Sequence, residues 1–125
     1  MKHLSDRQLL ARLENLRRRE HTVTLGILFL LREVERRKLY LPLGHASLFD
    51  FAVRRLEYSE SAAGRRIQAA RCIARHPEVG AMLQRHEVNL STVALVSRVL
   101  TDDNKAGLLE RIRGKSQRDV TALVA

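Results

Sequence analysis

Cysteine is nearly absent from this 125-residue chain, and the single Cys72 has no intrachain partner. A disulfide-stapled secreted scaffold is therefore excluded, and a reducing, cytoplasmic setting is the expectation. Tryptophan is missing and aromatics reach only 4%. With β-branched residues also scarce, little favours strands. The longest apolar run, TLGILFLL at 24–31, falls far short of the roughly 20 residues that cross a bilayer. No N-terminal apolar stretch leads to a cleavage-like site, so neither a membrane span nor a secretory leader is expected.

Catalytic and metal-binding patterns are missing as well. There is no Gly-rich phosphate loop, no Ser/His/Asp order and no close carboxylate pair apart from Asp102 and Asp103, which read as helix N-terminal residues. His3, His21, His45, His76 and His86 lie on different predicted elements, without the i, i+4 or CxxC spacing that converges ligands on a metal. Each reads as a surface or cap residue. No catalytic residue, metal site or cofactor is expected, and this chain alone should not be an enzyme.

What is present is helix-forming and basic. Apolar residues make up 45% and charged ones 30%, enough for one compact domain with a modest core. Leu, Ala, Arg and Glu are strong helix formers, which predicts an all-α fold. The net charge of +9 attracts polyanions, with nucleic acid foremost. Residues 1–40 hold ten basic and five acidic side chains, residues 41–76 six and three, and residues 77–125 seven and six. The excess therefore belongs to the first three-fifths.

Ser5 with Gln8 resembles a capping box. Leu9, Leu13, Leu16, Val23, Ile27, Leu30 and Val34 then recur at alternating three- and four-residue steps, with Glu20 as the one polar intruder. This predicts a long helix over residues 1–40, running to about Leu39 before YLPLGH stops it. Two roles stay open for its apolar residues: a homodimer through the 9–34 seam, or a helix folded over its own core. Residues 41–125 read as a second unit of short helices. Ser47 caps one to about Leu56, Ser59 caps another to about Arg75, and Pro77 starts a third. Ser91, then Thr101 with Asp102 and Asp103, then Ser116 with Asp119 open three more.

The pair at 47–56 and 59–75, joined by a link of about three residues, is a helix-turn-helix pattern. Leu48, Phe51, Ala52 and Leu56 form the expected buried face of its first helix. At about 100° per residue, Ala63, Ile67, Ala70 and Ala74 form an inward stripe on the second. Ser61, Gly64, Arg65, Gln68, Arg71, Cys72 and Arg75 fall opposite. Small residues inward let the helix sit close to its neighbours, while Arg and Gln outward can reach phosphates and base edges. The candidate DNA-binding residues are thus Ser59, Ser61, Gly64, Arg65, Gln68, Arg71 and Arg75, with double-stranded DNA as the partner. Arg66, near the buried edge, is expected to pair with Glu57 or Asp50, or to contact a phosphate from the flank.

The words RRKLYLPLGHASLFDFAVRRLEYSESAAGRRIQAARCIAR, VNLSTVALVSRVLT and RGKSQRDVTALVA resemble the N-terminal domain shared by bacterial HNH-endonuclease-type proteins. Gly44, Leu48, Phe49, Ser59, Glu60, Ala63, Arg65, Arg66, Ile67, Ala69, Ala70 and Arg71 match that pattern, while Gly64, Cys72 and Ile73 depart from it. The resemblance implies a DNA-associated protein whose nuclease would lie in a C-terminal HNH module absent here. The uncapped end at Ala125 also suggests a longer native polypeptide, as for an HNH endonuclease. Over 47–125 the arrangement is similar to the DNA-binding core of ParB-type partition proteins, in which further helices brace the recognition helix. Two classes remain: a DNA-binding module, or a helical interaction and dimerisation domain.

Overall fold

Side-chain caps decide where most helices begin. Ser5 accepts from the Gln8 N–H at 3.2 Å while the Gln8 side chain accepts from the Ser5 N–H at 2.9 Å, a reciprocal capping box. Ser47, Ser59 and Ser116 each accept one backbone N–H three residues on, and Pro77 occupies a first helical turn. The computed structural model describes residues 2–125. Among them the chain is all-helical: α1 (Asp6–Arg37), α2 (Leu48–Arg54), α3 (Glu60–Arg75), α4 (Pro77–Gln84), α5 (Leu90–Val96), α6 (Lys105–Ile112) and α7 (Gln117–Val124).

Two starts differ from those expected at Ser91 and Thr101. Asn89 rather than Ser91 caps α5, accepting from the Thr92 N–H at 2.8 Å. Thr101 and Asn104 bond each other's backbone N–H across a turn, so α6 begins only at Lys105. The first helix of the predicted helix-turn-helix also ends early, at Arg54. Leu56, expected on its buried face, lies in the link instead and is exposed. The link from Arg55 to Ser59 is longer than expected, and it turns at Glu57, whose φ is +63°, before the Tyr58 N–H donates to the Ala52 carbonyl.

The central element is α3, which packs against α1, α2, α4 and α5. Its buried residues are Ala63, Ile67, Ala69, Ala70, Cys72 and Ile73, mostly small, so four helix axes can approach it. Leu28 and Leu31 of α1, Leu48, Phe51 and Ala52 of α2, Val79, Met82 and Leu83 of α4, and Val93 and Val96 of α5 share one core with it, which Leu109 and Ile112 of α6 and Val120 of α7 extend. Gly80 marks the closest approach of α4: a Cβ there would meet Ile73 Cγ2 at 3.1 Å.

Only the second half of α1 takes part in this core, with Leu28 and Leu31 buried and Leu25, Ile27 and Val34 packed half-buried against it. The seam from Leu9 to Val34 lies about a quarter turn away at about 100° per residue. Every residue from Asp6 to Glu20 is exposed. The helix therefore does fold over its own core, chiefly with a face beside the seam, while Ile27 and Val34 of the seam also pack against that core.

Histidines come together where none was expected. His21 of α1 stacks on His86, a residue with positive φ after α4, with ring centroids 3.9 Å apart. Burial first and the His86 charge second hold the His21 pKa below its ordinary 6.5. The unfolded chain then takes up the proton first, so this stability is full above about pH 6.5 and is lost as pH falls toward the folded-state value. Thermal melts at pH 7.5 and 5.5 should show the wild type losing more stability than His21→Phe, which keeps the stack without titrating there.

Candidate nucleic-acid interface

The exposed side of α3 is set by what packs on its other sides. Ser61, Arg65, Gln68, Arg71 and Arg75 are all exposed, and Gly64 is half-buried. The polar members of the predicted arc therefore share one side of α3. Ser59 is at its start, with its hydroxyl occupied as the cap of α3.

Two positions break the predicted pattern. Cys72 is fully buried rather than on the arc, because α5 packs along that edge of α3. One turn earlier, Ser97 donates to Gln68 Oε1 at 3.3 Å across the same contact. Burial pushes the Cys72 thiol pKa up, which leaves it an inert packing residue. Ala74, expected on the inward stripe, is exposed. It lines a cleft with Phe29, Arg32 and Glu35 of α1, where charged side chains outnumber Phe29, itself exposed, and its methyl group stays open.

The arginines divide into engaged and unengaged ones. Arg71 forms a two-pronged bond to Glu35 of α1, with Nη2 2.7 Å from Oε2 and Nε 3.0 Å from Oε1. This bond holds the Arg71 pKa above its usual value. Arg66 pairs with neither Glu57 nor Asp50. It stacks 4.7 Å over the Tyr58 ring and donates to the Ala62 carbonyl, while Asp50 takes Arg54 and His45. Among the described residues no acid lies within ion-pair distance of Arg65, Arg75 or Arg98.

Arg98 was not legible from the sequence pattern. It follows α5, yet it lines one shallow groove of about 360 Å³ with Ser61, Gly64, Arg65, Gln68 and Gln117. At its far end Arg98 shares a second recess with Arg75. The face thus runs from Ser61 past Gln68 to Arg75, with Arg98 alongside. Gln68 accepts through its oxygen from Ser97 and keeps its amide NH₂ as a surface donor.

No group of three or more His, Cys, Asp or Glu is placed to hold a metal ion among the described residues. His76 is buried rather than on the surface, at the junction of α3 and α4. No helix among these residues is long and apolar enough to cross a membrane. Compared with known protein families, with curated proteins and with solved structures, the chain matches none.

Proposed function

We propose that this chain is a DNA-binding module that lays the exposed face of α3, with Arg98 beside it, against duplex DNA. The observation that carries the reading is the grouping of Arg65, Arg75 and Arg98 along one face, none of them in an ion pair although Asp102 borders the recess that Arg75 and Arg98 share. Cations without intramolecular partners keep their full attraction for phosphate. The shallow groove suits a sugar-phosphate strand, and the Gln68 amide is the group that could reach a base edge. Strong salt dependence and weak sequence preference follow.

The likeness to HNH-type N-terminal domains fits this role, in which the module brings a nuclease carried elsewhere in a longer polypeptide to DNA. The ParB-like arrangement fits the same partner with a partition or regulatory role. On either reading this chain supplies binding without catalysis or cofactor, in the cytoplasm. Mobility-shift titration against random-sequence duplex at two salt concentrations tests it. Tight binding at low salt that collapses at high salt is expected, and no binding at low salt would refute it.

The Arg71–Glu35 pair yields a separate prediction. Glu35→Gln releases Arg71 toward the same face, and one more phosphate contact should steepen the slope of log K against log[salt] by about 0.9. The pair is half-exposed, so folding stability should change by less than about 1 kcal/mol. An unchanged slope would place Arg71 outside the interface.

A further inference from the structure

We infer that a second copy of this chain docks antiparallel along the α1 seam. Leu9, Leu13, Leu16, Val23 and Leu30 are 45% to 68% exposed, and the heptad spacing they keep over nearly four heptads is that of a helix pair. Residues 6–20 are all exposed yet helical, and at the end of this stretch Arg17 and Glu20 border the domain across a cleft shared with Leu83 and His86. An isolated helical stretch of about 15 residues is marginal in water, so this arm calls for a partner helix.

The seam is complementary to itself in one orientation only. Antiparallel pairing centred between His21 and Thr22 sets Leu9 against the partner's Val34, Leu13 against the partner's Leu30, Leu16 against the partner's Ile27 and Glu20 against the partner's Val23. Every seam position then has a seam partner. Parallel pairing would bury Glu20 against its own copy and set the arginine cluster at 17–19 beside its copy, both repulsive. Antiparallel pairing instead lays 17–19 along the uncharged stretch 24–26. Gly26 there has open space around it, which leaves room for the partner's Arg19 to cross. Glu20 enters the seam already held by Arg17 at 3.0 Å. The core buries Leu28 and Leu31 beside the seam and covers only part of the seam residues Ile27 and Val34, which stay half-exposed, so pairing does not require the fold to open.

This inference does not depend on DNA binding. Sedimentation equilibrium of the full chain should give twice the 14.3 kDa chain mass. Leu13→Glu with Leu16→Glu should weaken association about a hundredfold or more, while the core of α3, α4 and α5 melts as before. Orientation is read by cysteine pairing, since native Cys72 is fully buried. Leu13→Cys and Leu30→Cys should each fail to cross-link alone and should form a disulfide dimer when mixed. A monomer at high micromolar concentration, or efficient cross-linking of Leu13→Cys with itself, would overturn the proposal.

Discussion

Arginine in place of Ala70 is expected to unfold the domain rather than loosen it. Ala70 is 1% exposed, on the helix that four others pack against. A guanidinium there has no room to reach water and no acid to meet, since Glu35 already holds Arg71. An unpaired buried charge costs about 3–5 kcal/mol, against a total stability for such a domain of about 5–15 kcal/mol. Steric overpacking adds to that cost. Ala74→Arg, one turn further on, is the matched control. Ala74 is exposed, so its variant should stay within about 0.5 kcal/mol of wild type. Circular dichroism melts of the two variants separate the registers: if Ala70→Arg melted like wild type, or Ala74→Arg collapsed with it, the placement of α3 would be wrong.

The Ala70/Ala74 contrast also shows which parts of the fold local chemistry determines. Capping is a matter of three or four neighbouring residues, so the starts at Ser5, Ser47, Ser59, Pro77 and Ser116 were readable. Where two good caps stand close together, as Asn89 and Ser91 or Thr101 and Asn104 do, the choice depends on how the following helix must pack. A helical wheel gives the direction of each side chain on α3 but not which neighbour lies there. Cys72 and Ala74 were misassigned for that reason: α5 covers the edge that carries Cys72, and Ala74 borders a cleft left open between charged side chains and the exposed Phe29 of α1.

On α1 the periodic seam was the strongest signal in the chain, yet the core buries Leu28 and Leu31 most deeply and takes from the seam only the half-buried Ile27 and Val34. A helix can carry two apolar faces, and the more regular one need not be the one that its own domain buries. The candidate site was legible where it lies on one helix. Arg98 and Gln117 could not be read, because only the packing of α5 and α7 brings them beside α3. The His21–His86 stack is non-local in the same way, joining residues from α1 and the turn after α4.

Removing Arg65, Arg75 and Arg98 together should produce the largest functional change. Each has its full charge on one face and no acidic partner among the described residues, so each can release a phosphate counterion on binding. Alanine at all three should lower the slope of log K against log[salt] by about two to three. Near 50 mM salt that corresponds to an affinity loss on the order of a hundred- to a thousand-fold. The fold should survive, because the three positions are exposed and none carries an ion pair. A protein of net charge +9 coats DNA to some degree wherever its cations sit, so the comparison must hold charge constant. Arg7, Arg18 and Arg111 are likewise exposed and lie off both the α3 face and the α1 seam. Their triple alanine variant should retain most of the slope and affinity. Equal losses in the two triple variants would reduce the binding to bulk charge and leave α3 without a specific role, whereas the expected asymmetry assigns the contact to the face built around Gln68.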